Sequence, residues 1–448
     1  MKKIIAFTLM LLTVLSLVAC NTAPAETTSP APVPEVVEKK DFSALSGIVY
    51  DYTTWYEEFM QLPIANADMT EDELRQLCVD TFKANMTFTW TPSAPISYTY
   101  ELLDKYHDVS LPYGIAYSGL FYATGIDNAT CGNIWKILPY YDHETGVVDI
   151  EGMGDIIHVL NNMTSACSYG AIQAWNRVSN SHNLSGMGSY NNNSSNIVPV
   201  GPYTYTLMTY NANFGSRTAS NEIIAANGNE VMYESLAQMK IADGLYSSSS
   251  WHVMMCSQTP VVVRDANGKI DPVKSYMYVH EQGATGTKGD SLNYDQPNGV
   301  ALRPLGTIDN QYTFEKLISK GYIPFTIKEL IGEDPVEPGA AWIGTKTEPI
   351  EHYRPMTVQE LFSMNLHANY NICNLLVEVK APDGTVLVSY YPHILTKPTP
   401  KFYQVSLVGC LQEERIAPYA DGKNTIHISA RLANGELKEA LITTLELD

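Results

Sequence analysis

The chain has 448 residues, 45% of them hydrophobic, which is enough for a sizeable core in more than one domain and too apolar for a disordered segment. Its formal charge of −20, from 48 Asp and Glu against 28 Lys and Arg, argues against nucleic acid or another polyanion as the partner. Neutral peptides and glycans stay open.

Residues 1–20, MKKIIAFTLMLLTVLSLVAC, join two lysines to an apolar run that is short for a membrane span and ends on small residues before Cys20. Leu17-Val18-Ala19-Cys20 resembles the bacterial lipoprotein signal. That resemblance implies a signal peptide over 1–20, a lipid on Cys20, and an extracytoplasmic protein that meets the membrane only through this lipid. An ordinary secretory signal with an incidental cysteine is the alternative. Residues 21–40, rich in Thr, Pro, Ser and Ala, read as a flexible linker.

A first folded domain is expected over 41–335. Met69-Thr70-Glu71-Asp72-Glu73 is a capping box with Thr70 as N-cap, and the helix it opens carries Leu74, Leu77, Cys78 and Phe82 as an apolar stripe. Cys78 therefore reads as core. The Tyr- and Gly-rich segment YELLDKYHDVSLPYGIAYSGLFYATG suggests loops and a short helix lining a surface. Two helical signals flank Thr164, and Thr164 or Ser165 is expected to cap the second, leaving Cys167 in its first turn. Ala171, Ile172, Ala174, Trp175 and Val178 give that helix a face to bury against a sheet. Residues 181–195 form a polar loop.

A helix over Glu230–Ile241 precedes two candidate strands, Trp251–Cys256 and Ser275–Gln282, separated by a hairpin insertion turning at Asp265-Ala266-Asn267-Gly268. Further on, TFEKLISKG and KELIG read as helices around the strand YIPFTI. Residues 336–355 are an acidic, Gly- and Pro-bearing linker. Short strands with turn signals then fill 356–448, the pattern of a small all-β sandwich accessory domain. The expected class is α+β: a helix packed on an antiparallel sheet, followed by that sandwich.

Six cysteines remain after Cys20: Cys78, Cys131, Cys167, Cys256, Cys373 and Cys410. No CxxC or zinc spacing occurs, and neither a phosphate-binding glycine loop nor a metal-binding helix motif is present, so no cofactor or metal is expected. Disulfides are possible in this compartment, especially Cys373 with Cys410, but sequence does not fix the connectivity, and a free, reactive thiol is equally compatible with it. Taken alone, Cys167 reads as a small buried hydrophobe, His252 as a satisfied histidine and Glu281 as a strand-edge charge. Together they describe nucleophilic catalysis. A cysteine in a first helical turn gains from the macrodipole and open amides, and His252 begins the next strand as a base. His280 and Glu281 are adjacent on the strand after that, where alternation lets only one point toward His252. Cys256 lies four residues past His252 and reads as core.

The order of Cys167-Ser168 at a helix start, Asp243-Gly244-Leu245-Tyr246, His252-Val253 on a strand and a polar residue on the following strand is similar to the NlpC-type cell-wall endopeptidases, a papain-like superfamily of cysteine hydrolases. The likeness spans residues 65–330 at most. Tyr169 stands where that family usually has glycine, and Met239-Lys240-Ile241-Ala242-Asp243 replaces its Leu-Lys-Pro-Gly-Asp, which marks a divergent branch. The resemblance implies a papain-like hydrolase domain that cleaves amide bonds in the stem peptides of peptidoglycan. Cys167 then attacks the carbonyl, His252 shuttles the proton, and Glu281 orients the imidazole, with His280 as runner-up. The Cys167 amide meets the oxyanion. Tyr169 and Trp251 are candidates for the substrate cleft, Trp251 either walling it or packing beneath the sheet. The competing reading is a non-catalytic cell-wall or glycan-binding lipoprotein, which the 29 tyrosines also suit.

Overall fold

Thr70 caps the helix Glu71–Thr87 as its spacing predicts: its side chain accepts from the Glu73 amide, and Glu73 Oε2 accepts from the Thr70 amide at 2.8 Å. Leu74, Leu77, Cys78 and Phe82 are buried on one face. These observations come from a computed structural model of the protein that describes residues 40–41, 52–102, 105–123, 132–180, 196–204, 219–283, 303–304, 307–345, 349–350, 353–398 and 402–446. Cys20, Cys131, and the loop expected at 181–195 lie outside the described residues.

The helix leads into the strand Thr89–Pro92, and the Tyr-rich segment after it is a hairpin: Ile96–Leu102 pairs antiparallel with Lys105–Leu111, from Ile96 opposite Leu111 to Leu102 opposite Lys105. This corrects the expectation of loops and a short helix. Ile96 and Tyr98 on one strand and Val109 and Leu111 on the other are buried at a period of two, the strand signature, and Tyr98 seats its hydroxyl on the Tyr122 carbonyl at 3.0 Å.

The two helices around Thr164 form as Ile156–Met163 and Cys167–Trp175, but neither Thr164 nor Ser165 caps the second. Thr164 Oγ1 donates back to the Leu160 carbonyl at 2.6 Å, and Thr164–Ser165 pair with Phe121–Tyr122 as a short parallel ladder. The N-cap is Ala166, which has no side chain to offer, so Cys167 is the first helical residue above amides that no side chain caps. Ala171, Ala174, Trp175 and Val178 are buried as their spacing predicts. Gly170 permits close approach of the two long helices: a Cβ there would lie 2.6 Å from the Phe82 ring.

A six-stranded antiparallel sheet underlies this pair, in the spatial order Thr307–Thr313, Tyr276–Glu281, His252–Cys256, Gly244–Ser247, Ile323–Ile327, Ile197–Pro199. Trp175 ties the cysteine helix to it, donating its indole N–H to the Ala242 carbonyl at 2.9 Å and packing edge-on to Phe325. Arg75 adds a buried ion pair to Asp243 at 2.7 Å. The Glu230–Ile241 helix is observed as Asn229–Ala237, and Arg264 and Ile270 bridge across the predicted hairpin turn.

Toward the C-terminus, a four-stranded and a five-stranded sheet enclose one apolar core that includes Leu366, Tyr370, Leu375, Val377, Ile426, Ile428 and Leu441. Burial alternates along Ile372–Lys380 and Thr425–Leu432, as it does in strands covered on one face. The strand Ala341–Gly344 lies inside the stretch expected as linker and pairs with Asn365–Ala368. Cys373 and Ala433 join a separate core built mostly from residues 59–163, and Asn133 donates to Cys373 Sγ at 3.1 Å. Cys410 packs in the sandwich core. The two thiols belong to different cores and are free, so the possible Cys373–Cys410 disulfide is not formed. The molecule is a mixed α and β protein with several sheets, and all described residues fall in one compact unit, Glu35–Asp448.

Candidate active site

Three separated elements meet at the start of the cysteine helix. Cys167 is its first residue, 7% exposed, and its Sγ donates to the Trp251 carbonyl at 3.4 Å. His252, first residue of the middle strand, directly follows Trp251, and its charge acts on that thiol. On the neighbouring strand, Glu281 Oε2 lies 2.7 Å from His252 Nε2. The imidazole and carboxylate keep only 16% and 12% of their side-chain surface exposed.

The loop before His252 holds this geometry. The serine run preceding Trp251 is a hydrogen-bonded turn: Ser247 Oγ donates to the Lys320 carbonyl at 2.7 Å, Ser249 Oγ to the same oxygen at 2.9 Å, and the Ser250 amide donates to Ser247 Oγ at 3.1 Å. Trp251 follows in the left-handed region at φ 49°, a conformation costly for a bulky side chain, and it aims its carbonyl at the thiol. The residue is 43% exposed, so it does not pack beneath the sheet. Tyr169, the residue after Ser168 on the helix, is half-buried.

Electrostatics at the site favour charge separation. Burial works against the Cys167 thiolate, but the hydrogen bond and charge of His252, with the Val253 and Ser168 amides, outweigh it and hold the thiol below its ordinary range. Burial likewise opposes the imidazolium, yet Cys167 and then Glu281 push His252 up to about 9. For Glu281, desolvation is overcome by His252, Asn310 and Tyr312, and the carboxyl sits below its usual value. The three groups stabilise one another as thiolate, imidazolium and carboxylate.

His280, the runner-up for the orienting role, is not at the site. It pairs with Met255, so alternation turns it away from His252, and its ring packs edge-on against Phe82 while Nδ1 accepts from the Asp309 amide at 3.2 Å. Burial keeps it neutral, down to about 4. Cys256 is fully buried, donates to the Gln258 carbonyl at 3.1 Å, and burial raises its thiol far above the ordinary range. It is core, as its strand position predicts. Cys78 is equally buried and raised.

No family model, curated protein or solved structure matches the chain. Its chemistry must therefore be argued from these side chains. Among the described residues no group of three His, Cys, Asp or Glu side chains is placed to hold a metal ion, and no helix is long and apolar enough to cross a membrane. Sequence reasoning missed the two donors to Glu281, Asn310 and Tyr312. Their alternation in Asn310-Gln311-Tyr312, on a strand soon after the acid, was the available signal. It also missed the Trp251 carbonyl and the Val253 amide, because backbone groups have no residue signature.

Proposed function

We propose that the protein is a cysteine hydrolase that cleaves amide bonds in peptidoglycan stem peptides, its helix-on-sheet layer a papain-like core, and that it is anchored outside the cytoplasm through a lipid on Cys20. One observation carries the enzymatic part: a thiol at the first residue of a helix meets the carbonyl of Trp251, directly before His252, whose Nε2 lies 2.7 Å from the buried Glu281 carboxylate.

In this mechanism the Cys167 thiolate attacks the scissile carbonyl carbon and the carbonyl electron pair moves to oxygen. The oxyanion is met by amides at the N-terminus of the cysteine helix, where Ala166 leaves them uncapped by any side chain. His252 delivers its proton to the leaving amine, the acyl-enzyme forms, and the neutral imidazole then takes a proton from water as water attacks the thioester. Glu281 keeps the ring oriented through Nε2 in both steps. The substrate class and the cell-wall location rest on the sequence resemblance and on the lipoprotein-like signal.

Purified stem peptides incubated with the protein should show amide cleavage, and Cys167→Ala should reduce it on the order of a thousandfold or more with the circular dichroism spectrum unchanged. Digestion unaffected by Cys167→Ala would exclude this mechanism. A protein that binds wall fragments without cleaving them would establish the binding lipoprotein instead.

A further inference from the structure

Only one oxygen of Glu281 meets His252. The other, Oε1, accepts from Asn310 Nδ2 at 2.5 Å and from the Tyr312 hydroxyl at 3.0 Å, and Asn310 Nδ2 also reaches the Tyr312 oxygen at 3.2 Å. Both donors come from Thr307–Thr313, the strand beside the glutamate strand. Regular pairing holds from Tyr276 opposite Thr313 to Val279 opposite Asn310, then shifts, so that Glu281 faces Thr307. The extra residue belongs to a bulge in which Asp309 takes φ 51°.

That bulge is anchored at three points. Asp309 Oδ1 accepts from Ser257 Oγ at 2.8 Å and from Gln258 Nε2 at 3.2 Å, and its amide donates to His280 Nδ1. The buried histidine that does no chemistry thus holds the backbone from which Asn310 projects. Tyr312 is fixed from its other side: Lys316 Nζ lies 4.6 Å above its ring. A bulge and two neutral donors, an amide and a buried phenol, converge on the carboxylate oxygen that His252 does not use.

We infer that Asn310 and Tyr312 are positioning residues for Glu281, holding its carboxylate ionised and reserving Oε2 for the imidazole. The inference rests on the reading of Cys167, His252 and Glu281 as a catalytic relay. Carboxylates that accept several hydrogen bonds titrate low, and here the charge passes on to His252 and through it to the thiolate. Removal of either donor should therefore appear at the sulfur, on the far side of the imidazole.

The test is the rate of iodoacetamide alkylation of Cys167 against pH, read by mass spectrometry of the Cys167 peptide in the full chain. Asn310→Leu and Tyr312→Phe should each move the acid-side midpoint up by about one pH unit, so that labelling on that limb slows roughly tenfold. Gln311→Ala, exposed on the same strand, should leave the profile in place. Tyr312→Phe keeps the ring and its lysine contact, so it carries the test even if Asn310→Leu fails to fold. Unchanged profiles in the folded variants would overturn the positioning role. A native Cys167 that labels with an ordinary thiol midpoint would instead overturn the hydrolase reading, and the two failures are distinct.

Discussion

His252 has an acid on each side, Cys167 and Glu281. Nε2 is committed to Glu281, and the Cys167 sulfur and then that carboxylate raise the imidazole. The sign of the pH dependence follows. Below the lowered cysteine value the thiolate takes up a proton and the nucleophile is lost; above about 9 the imidazolium loses its proton and with it the acid that protonates the leaving amine. Hydrolysis of a stem peptide should be bell-shaped in pH, with its alkaline limb near 9. Glu281→Gln removes the carboxylate charge that holds the imidazolium, so this limb should move down by about one to two pH units in kcat/KM profiles. An alkaline limb that stays in place would mean that Glu281 does not act through His252.

Elements matter here for how closely they approach. The cysteine helix lies against the capping-box helix because Gly170 has no Cβ to meet Phe82, and Trp175 finds both its hydrogen bond and an aromatic partner in the sheet. Within the sheet, Gly244 sits opposite Phe325, and a Cβ there would fall 2.1 Å from the ring. Phe325 is buried against Trp175, so the ring has little room to turn aside. Gly244→Ala should cost about 1–3 kcal/mol in urea unfolding, the usual range for overpacking a core. Stability equal to the parent would show that the ring moves freely. The N-terminus of the cysteine helix illustrates the reverse economy of contacts. Thr164 ends the helix before it, and Ala166 supplies no cap, so amides that a capping serine would have satisfied stay available to an oxyanion.

Across the molecule, the relay depends on a helix and a sheet being held in one arrangement, and the Arg75–Asp243 pair is the polar part of that hold. Both side chains are 2% exposed, Arg75 also donates to the Ile241 carbonyl, and Asp243 directly precedes the strand Gly244–Ser247 that neighbours His252. Arg75→Met should destabilise the protein by about 3–5 kcal/mol in denaturant melts by stranding a buried carboxylate, and Arg75→Met with Asp243→Leu should recover much of the loss. A single variant as stable as the parent would show that Asp243 finds another partner. Much of this organisation is legible in local pattern: the capping box at Thr70, the apolar stripe on the cysteine helix, the strands that carry His252 and Glu281, and the alternating strands after residue 356 each rest on periodicities of a few residues. Those patterns brought Cys167, His252 and Glu281 into one candidate site, since a helix start and two successive strands dictate the order in which such groups can meet. What they left undecided needed distances between residues far apart in the chain. Glu281 rather than His280 faces the imidazole because the register sets Met255 opposite His280; Cys373 and Cys410 stay reduced because two different cores claim them; Asn310 and Tyr312 reach Glu281 through a bulge. Local sequence determines which face and which element a side chain occupies, whereas register, core membership and bulges are set by the packing of whole elements, and the candidate site was completed there.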